Sequence, residues 1–187
     1  EYGNSAANAE FSWVIDPIDG TKSFISGVPL FGTLIALLQN GKPILGLINQ
    51  PILKERMVGD CKTATFNGKT VVPSKREEPK GCTLLTSDSR HQAQLRNEKN
   101  WRALENMSAI NRTWGDCYGY MLVCRGLADI MCDATLEVWD FAALLPVLQG
   151  SGVAYSDWFG GTNIGKSGLI ACGNKILLDK TVALLNA

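Results

Sequence analysis

Apolar residues in the first half of the chain fall in short runs separated by turn residues. The runs cover 11–15, 31–38, 43–48, 64–66 and 70–72. Asn40-Gly41 and Asn67-Gly68 each lie between two neighbouring runs. Short apolar runs joined through Asn-Gly are typical of strands in β-hairpins. We therefore expect mainly sheet in this half, with residues 11–15 forming a buried strand.

Helical spacing of apolar residues dominates the second half, where it alternates with short apolar runs. The predicted helices cover 88–105, 116–125, 140–149 and 175–185, and the predicted strands cover 82–86, 127–132 and 168–172. Asp116 and Asp140 are placed to open two of these helices, and Gly126 is placed to end one. Pro146 is expected to cause a kink or a lost backbone bond in the helix over 140–149. Strands followed by alternating strands and helices predict an α/β or α+β fold in which helices cover the sheets.

Composition narrows the class of protein. The 187 residues are 45% hydrophobic and 19% charged, with 18 basic and 18 acidic side chains. This balance gives no indication of a nucleic-acid or membrane partner, and no apolar run has the length of a membrane span. The six cysteines form no CxxC pair and His91 is the single histidine. This argues against a zinc site and favours buried thiols in a reducing, cytoplasmic compartment.

The stretch WVIDPIDGT at 13–21 carries the most informative chemistry. Asp16 and Asp19 follow an apolar run, and Gly20-Thr21 comes directly after them. Asp-Pro and Asp-Gly are also common turn dipeptides, so each alone is explained by a turn. Together, two close carboxylates repel each other, and a divalent cation such as Mg²⁺ would remove that penalty. Thr21 can open a short helix over 22–26, whose free N–H groups attract phosphate.

Other aspartate motifs do not fit this spacing. An EF-hand loop and a P-loop require patterns that the chain lacks. Aspartyl-nucleophile phosphatases with a DxDGT motif have one residue between the aspartates, whereas Pro17 and Ile18 separate them here. A two-metal site needs a third carboxylate, and Asp140, after Trp139, is a candidate. Taken alone, Asp140 is more simply explained as a helix N-cap.

WVIDPIDGT together with WDFAALLPVLQGSG at 139–152 resembles the two signatures of the inositol monophosphatase superfamily. The resemblance covers the whole chain as one domain, with residues 1–80 ending an N-terminal sheet layer and 81–187 forming an α/β layer. It implies an α/β layered sandwich of sheets and helices and Mg²⁺-dependent hydrolysis of small phosphomonoesters, with two or three Mg²⁺ per site. It also implies a homodimer.

The resemblance assigns roles residue by residue. It implies that Asp16, Asp19, Asp140 and the backbone carbonyl of Ile18 bind the metal ions. It also implies that Gly20 and Thr21 bind the phosphate and that Thr21 orients the attacking water. Asp16, Asp19, Thr21 and Asp140 are thus the catalytic set. Substrate binding also involves Gly115, Asp116, Cys117 and Asp133, where Asp133 replaces the glutamate that is frequent in the family.

Within the superfamily, DPIDGTKSFISGVPLFGTLIALL at 16–38 and Gly115-Asp116-Cys117-Tyr118 resemble the histidinol-phosphate phosphatase branch. Two carboxylates, Asp116 and Asp133, would favour the ammonium and imidazole of histidinol. This implies hydrolysis of L-histidinol phosphate in histidine biosynthesis. Phosphatases acting on inositol 1-phosphate or on another sugar or nucleotide phosphate are the alternative.

The family places further residues before its first motif, including a metal-binding Gly-Glu-Glu run. Glu1 matches the second glutamate of that run. The resemblance therefore implies a chain that is truncated at its N-terminus. A non-catalytic relative that binds phosphate and metal is the corresponding alternative.

Overall fold

The computed structural model describes residues 9–187. Its first sheet is an antiparallel meander of six strands in chain order. These are β1 Phe11–Asp19, β2 Gly32–Gln39, β3 Lys42–Gln50, β4 Glu55–Gly59, β5 Ala64–Phe66 and β6 Lys69–Thr70. The hairpins predicted at Asn40-Gly41 and Asn67-Gly68 are confirmed, because both dipeptides have positive φ between paired strands.

The second sheet is mixed. It contains β7 Thr83–Leu85, β8 Ile110–Arg112, β9 Ile130–Asp133, β10 Ala154–Ser156 and β11 Leu169–Cys172, in the spatial order β10-β11-β9-β7-β8. β7 runs parallel to β8 and β9, and the other pairs are antiparallel. The carboxyl ends of β7 and β9 therefore lie at the same edge of the sheet, beside each other.

Seven helices complete the described part of the chain. They are α1 Thr21–Ile25, α2 Ser89–Leu95, α3 Glu98–Met107, α4 Asp116–Cys124, α5 Val138–Phe141, α6 Leu144–Ser151 and α7 Lys175–Leu185. α4 and α6 lie between the two sheets, while α3 and α7 cover the other face of the second sheet. The layered sandwich of sheets and helices is confirmed. Within residues 9–187, no helix has the length and apolar character needed to cross a membrane.

Close backbone contact joins the first sheet to α6. A Cβ atom on Gly46 would lie 2.0 Å from the Ala143 carbonyl oxygen, and one on Gly59 would lie 2.5 Å from the Val147 Cα. No side chain fits at either position, because real Cβ contacts are never this short. Glycine therefore lets the helix pack directly on β3 and β4, which fixes the distance between the sheet and the segment that carries Asp140.

The opposite face of the first sheet is apolar and partly open to solvent. Phe11, Trp13 and Ile15 are 49%, 61% and 54% exposed. Their register pairs Trp13 with Leu37 and Ile15 with Ile35, so these side chains share one face. The strand predicted over 11–15 is confirmed, but its predicted burial is wrong, because only the alternate residues face α4 to α6.

Two long predicted helices are each interrupted. The helix predicted over 88–105 is α2 followed by α3, and Asn97 caps the second through a bond from the Asn100 N–H. The helix predicted over 140–149 is α5 followed by α6. Pro146 has no N–H to donate to the Ala142 carbonyl, and the helix is interrupted at 142–143 although Ala142 and Ala143 keep helical φ and ψ, so the predicted lost backbone bond is confirmed.

Candidate active site

Three aspartates converge where β1 ends. Carboxylate oxygens of Asp16, Asp19 and Asp140 all lie within 4.8 Å of one another. Asp16 and Asp19 come from β1, an edge strand, and Asp140 comes from α5, which packs against that strand. The structure thus brings together the three carboxylates that the sequence predicted as metal ligands.

A β-bulge turns both strand aspartates to the same side. Asp16 pairs with Leu34 and Asp19 with Gly32, so two residues of β1 oppose one residue of β2. The extra residue resets the alternation of side chains, which would otherwise place Asp16 and Asp19 on opposite faces. We expected Pro17 to form a turn after the strand. It lies instead inside the bulged edge strand, where proline is tolerated because no partner needs its N–H.

The electrostatics of the cluster favour a cation. Burial and the nearby Asp116 charge raise the pKa of Asp19 to about 7. Burial likewise raises the pKa of Asp140 to about 6, with further contributions from Asp16 and other carboxylates. In the absence of a counter-charge, these carboxylates resist ionisation at neutral pH. A bound cation would reverse that resistance.

Asp140 has a different local role from the one predicted. Glu137, not Asp140, is the N-cap, and Asp140 is the third residue of α5. Its Oδ2 accepts a hydrogen bond from the Glu137 N–H at 2.8 Å, which completes a capping box. One carboxylate oxygen orients the side chain, and the other oxygen remains for the cluster.

Gly20 and Thr21 form the adjoining wall. Gly20 has φ +80°, and a Cβ there would lie 2.9 Å from the Leu30 carbonyl oxygen, so only glycine fits. Thr21 begins α1, and its Oγ1 donates to the Ile18 carbonyl oxygen at 3.1 Å. The Ile18 N–H donates to Asp16 Oδ1 at 3.0 Å, which fixes the loop to the cluster.

The start of α4 reaches the cluster from the second sheet. The Cys117 N–H donates to Asp19 Oδ2 at 2.6 Å, and the Asp116 N–H donates to Ser87 Oγ at 2.8 Å. Gly115 caps this helix, so the N-cap predicted at Asp116 is wrong. Asp116 itself has φ +50°, a strained conformation for a residue with a side chain. The end of the helix at Gly126, with φ +70°, is confirmed.

Asp133, at the end of β9, forms the floor of the same cavity. It is 5% exposed and accepts hydrogen bonds from the Ser87 N–H at 3.1 Å and the Tyr120 hydroxyl at 3.0 Å. Burial raises its pKa to about 7, despite these donors. The Asp116 charge raises the pKa of both Asp19 and Asp133.

A cavity of about 440 Å³ connects all of these residues. Its lining includes every predicted site residue except Gly115, and also several that we did not predict: Lys22, Ser87, Asp88, His91, Gln92, Tyr120 and Trp139. Lys22 Nζ lies 3.8 Å from Asp88 Oδ2, so an ion pair links α1 to the cap of α2 across the cavity. His91 is exposed and also lines the cavity.

Two of the missed residues, Ser87 and Asp88, lie just after strand β7. A sequence signal existed, since Ser87-Asp88 comes immediately after a predicted strand and the ends of strands commonly carry site residues. Gln92 gave no such signal, because it is one of several polar residues within the predicted helix over 88–105.

The donor set fits a hard divalent cation. Three carboxylates and the nearby Ile18 carbonyl supply only oxygen ligands, as Mg²⁺ prefers. Burial is the main reason that the pKa values of Asp19 and Asp140 are raised, and a bound cation would stabilise the ionised form of both carboxylates. Glu1, matched to a further metal-binding glutamate, lies outside the described residues.

This fold and this acidic cavity define the inositol monophosphatase class of proteins. The chain belongs to the inositol monophosphatase family, whose pattern matches residues 1–187. A structure of an inositol monophosphatase from Zymomonas mobilis superposes with a TM-score of 0.89 at 34% identity, covering 100% of this chain and 74% of that one.

Sequence relatives include a histidinol-phosphatase from Chlorobaculum parvum and the chloroplastic bifunctional phosphatase IMPL2 from Arabidopsis thaliana. The first is 37% identical over 93% of this chain and 68% of its own length. The second is 44% identical over 82% of this chain. The chain spans 44% of the length of that plant relative. Family membership and these phosphatase names support a phosphoric monoester hydrolase.

Proposed function

We propose that this protein hydrolyses a small phosphomonoester with the help of Mg²⁺, and that water attacks the phosphorus directly. The observation that carries the proposal is the convergence of three carboxylates within 4.8 Å, beside Gly20 and Thr21, in one open cavity. A phosphate at the start of α1 would therefore lie next to the cation site.

Each residue has a role that follows from its position. Asp16, Asp19, Asp140 and the Ile18 carbonyl would hold the cations. Bound Mg²⁺ supplies charge neutralisation and lowers the pKa of water. The Thr21 hydroxyl, oriented by the Ile18 carbonyl, positions the attacking water.

The start of α1 binds the phosphate. Gly20 exposes its backbone, and the first N–H groups of the helix face the phosphate oxygens. Two residues separate Asp16 from Asp19, whereas the DxDGT motif of aspartyl-nucleophile phosphatases has one residue between its aspartates. The proposed mechanism therefore includes no covalent aspartyl-phosphate.

The charge of the cavity favours a cationic alcohol. Six aspartates line it, and Lys22 is the single lysine or arginine among the lining residues. Three of the aspartates belong to the cation site. The others, Asp88, Asp116 and Asp133, would face the alcohol part of the substrate. Lys22 already pairs with Asp88. A neutral polyol would leave the charges of Asp116 and Asp133 uncompensated, whereas an ammonium and an imidazole would pair with them.

L-Histidinol phosphate is therefore the proposed substrate, and the proposed setting is histidine biosynthesis in the cytoplasm. The histidinol-phosphatase from Chlorobaculum parvum supports this choice. An inositol monophosphatase relative such as that of Mesorhizobium japonicum, 26% identical over 91% of this chain, represents the competing substrate, inositol 1-phosphate.

A homodimer is part of the proposal. Ile25 and Val28 after the phosphate-binding turn are exposed, as are Ile52 and Leu53. Gln50 links the two segments, since its Nε2 donates to the Pro29 carbonyl and its Oε1 accepts from the Leu53 N–H. These four exposed side chains, on two segments that Gln50 joins, are called the apolar patch, and a second copy could cover it.

The test is release of inorganic phosphate by the purified chain with Mg²⁺. Histidinol phosphate and inositol 1-phosphate are offered at equal concentration, with and without EDTA. We expect metal-dependent release, with kcat/KM higher for histidinol phosphate. Faster release from inositol 1-phosphate would replace the proposed substrate. Mg²⁺ and phosphate binding without release from either ester would favour the non-catalytic relative.

A further inference from the structure

Gln92 is a buried amide beside the floor of the cavity. It lies on α2, is 2% exposed and lines the cavity together with Asp133. Its Nε2 donates to Thr86 Oγ1 at 2.9 Å and reaches Asp133 Oδ1 at 3.4 Å. Within residues 9–187, its Oε1 is buried and has no hydrogen-bond partner.

Keeping a glutamine here is unfavourable for stability alone. A buried acceptor without a partner loses its bonds to water on folding, whereas a methionine of similar length would fill the same space without that loss. The two N–H contacts are what the amide adds at this position. One of them is made to a carboxylate that faces the cavity, which connects the residue to the site.

Asp133 is held from three directions. The Ser87 N–H and the Gln92 amide donate to Oδ1, and the Tyr120 hydroxyl donates to Oδ2. An ionised carboxylate offers about four acceptor positions, so these bonds leave roughly one for a ligand. The donors come from the segment after β7, from α2 and from α4, and together they prevent the carboxylate from turning away from the cavity.

We propose that Gln92 is a positioning residue for substrate selection, which holds the Asp133 carboxylate toward the cationic alcohol part of the phosphomonoester. Thr86, which is fully buried, fixes the amide in turn. The inference rests on the proposed function, because it requires a substrate with a positively charged alcohol part. It extends that function to a residue that contacts neither the phosphate nor the cation site.

The test compares two substrates in one variant. Gln92→Met removes the donor and keeps the length of the side chain. Gln94→Met, at an exposed position of the same helix, is the matched control. We expect Gln92→Met to lower kcat/KM for histidinol phosphate by about tenfold, the effect of one lost hydrogen bond to a charged group. Inositol 1-phosphate hydrolysis should change less than about twofold, since it does not use the charge of Asp133. Gln94→Met should leave both rates unchanged.

A second variant and a binding measurement keep the test decisive. Tyr120→Phe removes the donor on the other side of Asp133 and should shift the substrate ratio in the same direction. Calorimetric titration with the product L-histidinol should show weaker binding to both variants than to the unchanged chain. Equal losses on both substrates, or unchanged histidinol affinity, would overturn the role of Gln92. If the unchanged chain prefers inositol 1-phosphate, the proposed substrate is wrong. That result is distinct from a failure of the role of Gln92, because it is seen without any variant.

Discussion

Asp19 provides a test of the cation site that does not depend on turnover. In Asp19→Asn, the side chain keeps its shape and can still accept the hydrogen bond from the Cys117 N–H. The substitution removes one negative charge from a cluster that resists ionisation. We therefore expect the variant to be more stable than the unchanged chain when no metal is present.

The magnitude follows from the pKa of Asp19, which is raised from 3.8 to about 7. Each pH unit corresponds to about 1.4 kcal/mol, so ionising this carboxyl in the folded chain costs at most about 4 kcal/mol. Because Asp19 is only partly buried by surface area, solvent screening reduces the cost, and we expect ~2 kcal/mol. For a domain of this size that is a rise in Tm of about 4–8 °C.

The sign of the pH dependence is fixed by the same pKa. Below about pH 4, Asp19 is protonated in both the folded and the unfolded chain, so Asp19→Asn does not increase the free energy of unfolding. Between pH 4 and pH 7 the folded chain holds a proton that the unfolded chain has lost, and the metal-free stability falls as pH rises. Above about pH 7 the full cost is present, and the gain from Asp19→Asn is complete.

Thermal unfolding in EDTA at pH 4 and pH 8, and again with Mg²⁺ at pH 8, measures these effects. Mg²⁺ should raise the Tm of the unchanged chain and have little effect on Asp19→Asn. Asp179→Asn, exposed on α7, serves as the control for loss of a surface charge. No gain for Asp19→Asn at pH 8, or an equal response to Mg²⁺ in both chains, would refute the assignment of Asp19 as a cation ligand.

Three further predictions address other parts of the molecule. Ile25→Glu should convert a dimer to a monomer in sedimentation analysis without lowering Tm, and an unchanged sedimentation coefficient would exclude the apolar patch as the interface. Gly46→Ala should destabilise the chain by about 3 kcal/mol in urea unfolding, since its Cβ would lie 2.0 Å from the Ala143 carbonyl oxygen; a loss below about 1 kcal/mol would show that α6 can move away. Asp116→Gly should raise stability by about 1 kcal/mol by relieving the strain at φ +50°, while lowering kcat/KM for histidinol phosphate. Losing both stability and activity would contradict the strain argument.

Local sequence predicted much of the architecture. Asn-Gly pairs located two hairpins, and the bounds of α7 follow directly from its apolar spacing. The predictions failed where tertiary contacts decide the outcome. Pro146 accounts for the interruption between α5 and α6, but the close packing of α6 on Gly46 and Gly59 is revealed by no local pattern. The exposure of Trp13 depends on what lies against its face of the sheet, and alternation alone does not specify that.

The site likewise contains residues that the sequence predicted and residues whose position depends on tertiary structure. Asp16, Asp19 and Thr21 belong to one short motif, so their proximity was predictable. The bulge that aligns the two aspartates depends on the pairing of β1 with β2, and the sequence does not show it. Gln92, on the helix after β7, contacts Asp133 at the end of β9 because these two strands end side by side. The role proposed for Gln92 therefore depends on the sheet topology, which the local sequence does not show.

The central claim is that the three converging aspartates form the catalytic metal centre. The most direct measurement is phosphate release from histidinol phosphate by the unchanged chain and by Asp16→Asn, across a titration of Mg²⁺, with circular dichroism recorded on both. We predict release that rises with Mg²⁺ in the unchanged chain and falls by at least about a hundredfold in the variant, while both spectra stay the same. Unchanged turnover in a folded Asp16→Asn chain would contradict the claim.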